Sequence, residues 1–179
     1  MNSHGYNWFN CFTLEQVKKI NKEILKNKSL EPELLGNAAP STKIGKFFPI
    51  PCMPLMELLH PWLYQCQLTN RNLFGYDIYW DFHLEAFNYN VYGENGEYDW
   101  HIDVNEENTP NDMKLTCLLN LSEESYEGGE FWMMGRKEKI KFTSGMGLII
   151  TSLVSHKVTS VTKGERITLT YWGVGPSWR

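Results

Sequence analysis

Apolar positions in the first part of the chain recur at helical spacing. Leu14, Val17, Ile20, Ile24 and Leu25 form one stripe, with Lys18, Lys19, Lys22 and Lys26 mostly opposite. Thr13 followed by Gln16 makes a capping box that starts this helix, which the pattern ends near Asn27. Residues 28–53 carry Pro32, Gly36, Pro40, Gly45, Pro49 and Pro51, which predicts a long irregular segment or lid-like excursion. A second helical stretch spans about Leu55 to Leu68, with Pro61 expected to kink or split it. From Ile78 the period becomes two. Trp80, Phe82, Leu84 and Ala86 alternate with Asp81, His83 and Glu85; then Phe87, Tyr89 and Val91 carry the apolar face in the opposite phase, which marks a bulge or bend. Further predicted strands are Lys114–Leu121, Glu130–Met134, Lys137–Phe142, Met146–Leu153 and Arg166–Gly173, punctuated by Asn95-Gly96, Gly128-Gly129, Ser144-Gly145 and Lys163-Gly164. Two helices followed by many short strands predict an antiparallel sandwich or barrel with helices outside one sheet.

Composition narrows this picture. A chain of 179 residues can bury one core and is short for two ordinary domains, so one domain over 1–179 is expected, helical in 1–70 and strand-rich from about 74 to 175. The 14% aromatic share, with seven Trp and nine Tyr, favours strands. No apolar run is long enough for a membrane span, and the polar start lacks the layout of a secretion signal, so a cytoplasmic location is expected. A net charge of -4 argues against a general nucleic-acid binder. Cys11, Cys52, Cys66 and Cys117 are widely spaced with no Cys-x-x-Cys pair, and read as free thiols.

The candidate chemistry begins at His101 and Asp103. On an extended strand, positions two apart share a face, so an imidazole and a carboxylate could reach one ion while Ile102 turns away. His156 follows the apolar run 147–154 and could supply a third ligand. Two histidines and one carboxylate on one side of a metal characterise non-haem Fe(II) sites that activate oxygen. The bland alternatives are a His-x-Asp pair without metal and a satisfied core histidine. Ten positions on, Arg166 opens the last strand, with Thr168, Thr170 and Trp172 on its face. A guanidinium there could clamp a carboxylate by two parallel hydrogen bonds, or could simply be an exposed hairpin arginine.

Four ordered stretches decide between these readings. Tyr92-Gly-Glu-Asn-Gly-Glu-Tyr-Asp-Trp-His-Ile-Asp103, Leu118-Leu-Asn-Leu-Ser122, Tyr126-Glu-Gly-Gly-Glu-Phe131 and Ser155-His-Lys-Val-Thr-Ser-Val-Thr-Lys-Gly-Glu-Arg166 closely resemble the prolyl 4-hydroxylase-like family of 2-oxoglutarate and Fe(II)-dependent dioxygenases, over about Phe74 to Trp172. The resemblance implies a mostly β double-stranded β-helix, or jelly roll, with flanking N-terminal helices. It implies Fe(II) held by His101, Asp103 and His156, the distal carboxylate of 2-oxoglutarate paired with Arg166 and supported by Tyr92 and Thr170, and Trp172 lining the pocket. Oxygen is the further cosubstrate and ascorbate a candidate accessory reductant. Both imidazoles must be neutral to ligate, so metal affinity is expected to fall in acid. Asn120 stands where some relatives carry a cosubstrate-contacting tyrosine, which puts that contact in doubt. The Gly128-Gly129 turn reads as backbone geometry, Tyr98, Trp100 and Trp172 as candidate dry walls, and Trp100 more simply as a core residue.

The activity this implies is hydroxylation of a C–H bond with release of succinate and CO2. A prolyl residue in a peptide or protein is the leading substrate; a free amino acid or other small molecule is the alternative. Residues 28–53 and 104–113 are the candidate substrate loops. Two other classes compete: a non-catalytic jelly roll that binds 2-oxoglutarate, and a cupin-like zinc or manganese enzyme. The complete His101, Asp103, His156 and Arg166 set counts against the first, and Arg166 has no evident task in the second.

Overall fold

The structure is a computed structural model that describes residues 5–27, 43–81, 86–104 and 111–178. In chain order its elements are β1 (Tyr6–Asn10), α1 (Leu14–Asn27), β2 (Lys43–Ile44), β3 (Lys46–Pro51), α2 (Met56–Thr69), β4 (Ala86–Tyr92), β5 (Glu97–His101) and β6 (Asn111–Asn120). They continue as β7 (Glu127–Gly128), β8 (Phe131–Met133), β9 (Met146–Thr151), β10 (His156–Val158), β11 (Val161–Lys163) and β12 (Arg166–Pro176). Among the described residues, a six-stranded sheet runs β1-β9-β6-β12-β4-β3, a four-stranded sheet runs β2-β5-β10-β8, and β11 pairs β7. Every strand pair is antiparallel.

The period of two sorts the large sheet's side chains into two cores. On β6, Leu115, Cys117 and Leu119 face the helices while Leu118 faces the smaller sheet; on β9, Ile149 and the pair Leu148 and Ile150 divide the same way. The first core adds Val17, Ile20 and Ile24 of α1 and Leu59, Trp62 and Leu63 of α2. The second adds Phe131, Met133 and Val158. The helices therefore pack outside one sheet, and the second face of that sheet is left to the smaller sheet and the space between them.

The start of α1 follows the predicted capping box: the Thr13 N–H donates to Gln16 Oε1 (2.9 Å) and the Gln16 N–H to Thr13 Oγ1 (3.3 Å). Several expectations change. Pro61 lies inside α2 without splitting it, and the helix runs on into a π-helical turn, Asn70–Phe74, closed by Gly75 at φ 71°. The irregular segment expected over 28–53 becomes strands β2 and β3 from Lys43 onward; residues 28–42 lie outside the described residues. Pro49 and Pro51 are compatible with a strand because β3 is the sheet edge, where a missing N–H costs no ladder bond. Lys137–Phe142 is not a strand, with only an isolated bridge from Ile140 to Phe131. The alternation over 82–85 and most of the loop 104–113 lie outside the described residues, and Asn111–Met113 already belong to β6. β1 was not legible as a strand; it forms by pairing with β9, with Trp8 left 52% exposed.

Trp62 is fully buried, 5.9 Å from the Phe87 ring, and its Cδ1 would lie 3.0 Å from a Cβ added at Gly147. Replacing it with alanine should open a cavity between α2 and the sheet and cost about 3–5 kcal/mol. A urea unfolding curve should show this as a lower midpoint with little change in slope.

Candidate metal and anion site

The two histidines are brought together by one register. β10 pairs β5 with His156 directly opposite His101, and the ring centroids are 4.2 Å apart. Two positions on, the same pair of strands aligns Val158 with Tyr98, so β5 contains one extra residue. This bulge turns Asp99 and Trp100 outward and places Tyr98 and His101 on the same face, their rings stacked at 3.4 Å and 12°. It corrects the expectation of a core Trp100, which is 38% exposed with the Lys157 ammonium 5.0 Å from its ring centroid.

Asp103 arrives differently from the expected strand spacing. β5 ends at His101, and Asp103 is fixed by its N–H donating to the Ser152 carbonyl (3.0 Å) and by the Thr116 hydroxyl donating to Oδ2 (2.5 Å). Its oxygens lie 3.7 Å from His101 Nε2 and 3.7 Å from His156 Nε2. These separations exceed a hydrogen bond, and one ligand atom from each residue falls within a 4.8 Å cluster. Each imidazole meets a carbonyl two residues before it: His101 Nδ1 donates to Asp99 O (2.7 Å) and His156 Nδ1 to Val154 O (2.9 Å). A carbonyl only accepts, so both rings donate from Nδ1 and turn Nε2 toward Asp103. Burial, reinforced by His156, lowers His101 to about 4, which keeps the ring neutral at physiological pH. Phe131 covers His156 at 5.4 Å.

Behind the triad, between the sheets, lies a pocket lined by Arg166, Tyr92, Thr170 and Trp172 as well as the triad. The exposed-hairpin alternative for Arg166 does not hold, since the residue is 2% exposed. Its guanidinium lies 5.4 Å from the Tyr92 ring centroid and 5.8 Å from that of Phe142, with no acidic partner among the described residues and no acceptor for Nε. A buried guanidinium with no acidic partner among the described residues is costly, and an anion in the pocket would offset that cost. Burial raises the Tyr92 phenol well above its ordinary value, so it stays a neutral O–H. The glycine turn serves this geometry: Gly129 has φ 58°, and a Cβ there would come 2.9 Å from Arg166 Cδ. Asn120 is occupied by the fold, with Oδ1 accepting from the Ser122 N–H (2.9 Å) and Nδ2 donating to Phe142 O (2.8 Å) and Tyr126 Oη (3.3 Å). Sequence reasoning missed Thr116, Asn90 and Lys43, which also line this pocket. Thr116 and Asn90 sit in ordinary strand patterns, and Lys43 fell in the segment read as irregular.

Residues 87–173 match the 2OG-Fe(II) oxygenase superfamily. They carry the triad and Arg166. The segment that bears the site is thus similar to the 2OG-Fe(II) oxygenases. A 71-residue stretch is 41% identical to a PKHD-type hydroxylase of Alteromonas mediterranea, covering 36% of this chain and 31% of that protein, so the match spans about a third of the relative. Among solved structures, the chain is similar to the viral collagen prolyl hydroxylase of Paramecium bursaria Chlorella virus-1 in its 2OG complex (TM-score 0.71, 14% identity, 97% of each chain). It is also similar to a Pseudomonas putida prolyl-4-hydroxylase (TM-score 0.67, 20% identity, 96% of this chain and 92% of that one). A third is the Trichoplax adhaerens prolyl hydroxylase in complex with a hypoxia inducible factor peptide fragment (TM-score 0.70, 18% identity, 96% and 84%). At these identities the shared property is the fold, a jelly roll. The residues present fit Fe(II) and 2-oxoglutarate: two imidazoles and a carboxylate make a suitable donor set, and the orphaned Arg166 Nε suits a carboxylate. The four cysteines are free, and no helix among the described residues is long and apolar enough to cross a membrane.

Thr116→Val should remove the hydrogen bond that orients Asp103 and weaken Mn(II) binding about 10- to 100-fold, read by titration calorimetry. The unfolded chain protonates His101 near the ordinary 6.5 while the folded metal-free protein resists until about 4. Stability is therefore fully present above about pH 6.5 and declines as pH falls toward 4. In chelator-treated protein, thermal melting should show that decline, and His101→Gln should flatten it.

Proposed function

We propose that this protein is an active Fe(II)- and 2-oxoglutarate-dependent hydroxylase whose leading substrate is a prolyl residue in a peptide or protein. The observation that carries this reading is the convergence of His101, Asp103 and His156 beside a buried Arg166 that lacks an acidic partner among the described residues. Nε2 of both histidines and the Asp103 carboxylate would hold the metal from one side and leave the pocket side open. The Asp99 and Val154 carbonyls keep the imidazoles in the ligating tautomer, and Thr116 keeps the carboxylate turned inward. Arg166, with Tyr92 and Thr170, would seat the distal carboxylate of the cosubstrate, and Trp172 would wall the pocket. Tyr98 and Phe131 cover the imidazole faces and limit water. When bound, iron with oxygen and the 2-oxo acid supplies the oxidising chemistry that yields succinate, CO2 and a hydroxylated substrate.

The prolyl reading draws support from the fold shared with prolyl hydroxylases, one of them bound to a peptide fragment. It also draws support from Ile102, Val104 and Leu153, which are 43%, 57% and 50% exposed beside the triad and suit an apolar ring. The test is succinate formation together with a gain of one oxygen in a panel of proline-containing peptides, resolved by mass spectrometry. Turnover should require Fe(II) and vanish in His101→Ala and Asp103→Ala. Arg166→Ala should raise KM for 2-oxoglutarate roughly 30-fold or more. Turnover that survives loss of either triad residue rejects the reading, and indifference to Arg166→Ala favours a metalloenzyme that does not use 2-oxoglutarate.

A further inference from the structure

The pocket holds a second cation that no motif pointed to. β2 joins the edge of the smaller sheet through β5, with Lys43 directly opposite Tyr98, and the chain then crosses to the edge of the large sheet as β3. Gly45 makes the crossing feasible, because a Cβ there would meet the Tyr92 ring at 3.1 Å. The Lys43 ammonium is thereby carried into the pocket, 5.5 Å from the Tyr98 ring centroid and 5.6 Å from that of Tyr92. Tyr98 is the ring stacked on His101, and Tyr92 is the ring beneath Arg166. Lys43 therefore stands between the triad and the arginine.

Its position is held rather than incidental. Asn90 Oδ1 accepts from Lys43 Nζ at 2.6 Å, while Asn90 Nδ2 donates to Thr170 Oγ1 (3.1 Å) and Asn88 O (3.0 Å), so the amide is oriented with its oxygen toward the lysine. The two cations share this lining with the Asp103 carboxylate. Burial lowers Lys43 to about 8, against the pull of Asp103 and with the push of Arg166, and the ammonium still predominates at neutral pH. Two like charges in one buried pocket repel each other, and a dianion seated between them is attracted to both.

We propose that Lys43 is a cosubstrate-binding residue, forming with Arg166 a two-cation seat between the sheets that selects a doubly charged 2-oxo acid. The inference rests on the dioxygenase reading above and adds a contact supplied by the N-terminal part of the chain. Lys43 then serves affinity for the cosubstrate, and its side chain links occupancy of the pocket to the β2 edge.

The test measures binding rather than turnover. Mn(II)-loaded protein, with no substrate, is titrated with 2-oxoglutarate by calorimetry at low and high salt. Lys43→Gln keeps a donor for Asn90 and removes the charge, so it should bind about tenfold more weakly and with a shallower salt dependence. Lys43→Arg keeps the charge and should stay within about threefold of wild type. Lys43→Met, which retains an apolar stem among the aromatic rings, should match Lys43→Gln and guards against a fold-specific effect in either variant. Equal affinity in wild type and Lys43→Gln overturns the proposal, as does a Lys43→Arg variant as weak as Lys43→Gln. Wild-type protein that binds Mn(II) and no 2-oxoglutarate overturns the dioxygenase reading and this inference with it, an outcome distinct from a failure confined to Lys43.

Discussion

The site depends on one cross-strand alignment, His156 opposite His101 in the pairing of β10 with β5. A slip of one residue in either strand would turn one imidazole to the other face of the sheet and leave two donors where three are needed. The bulge that follows is part of the same device. It allows Tyr98 and His101, three positions apart, to share a face and stack, and it pushes Asp99 and Trp100 out to solvent while Asp99 lends its carbonyl to His101 Nδ1. Tautomer, ring orientation and aromatic cover thus follow from one local irregularity.

Everything else in the pocket hangs on β12. Flanked by β4 and β6, it carries Arg166 opposite Tyr92 and Trp172 opposite Thr116, so the arginine end and the triad end of the pocket are set along one strand. β6 links the ends, since Thr116 holds Asp103 from the same strand whose Leu118 packs in the inter-sheet core. The helices complete the arrangement by covering the opposite face with Trp62, Ile20 and their neighbours, which leaves the inner face free for polar side chains. Arg166 is affordable there only because an anion is expected to meet it.

Much of this was readable one residue at a time. The capping box at Thr13, the helix to Asn27, the long strand of the last motif and the four ordered stretches around His101, Asn120, Gly128 and Arg166 all depend on spacing within a short window, and local spacing is what sequence displays. The failures have a common cause. Lys137–Phe142 has a strand's pattern but finds no ladder partner beyond Ile140, whereas Tyr6–Asn10 and Lys43–Pro51 become strands because β9, β5 and β4 offer edges to pair with. Trp100 looked like core because its alternation was counted without the bulge.

By itself the sequence displayed the candidate donor set and its order: two histidines, an aspartate and an arginine, whose types suit metal ligation and carboxylate binding. It also carried the resemblance to the 2-oxoglutarate and Fe(II)-dependent dioxygenases, through motifs that are local in the chain. Only the tertiary structure decided that each imidazole hands its Nδ1 to a backbone carbonyl, that Arg166 is buried without an acid among the described residues, and that Lys43 stands between them. Those properties arise from strands far apart in sequence meeting in one register. Burial and charge pairing are properties of that meeting and of no residue alone.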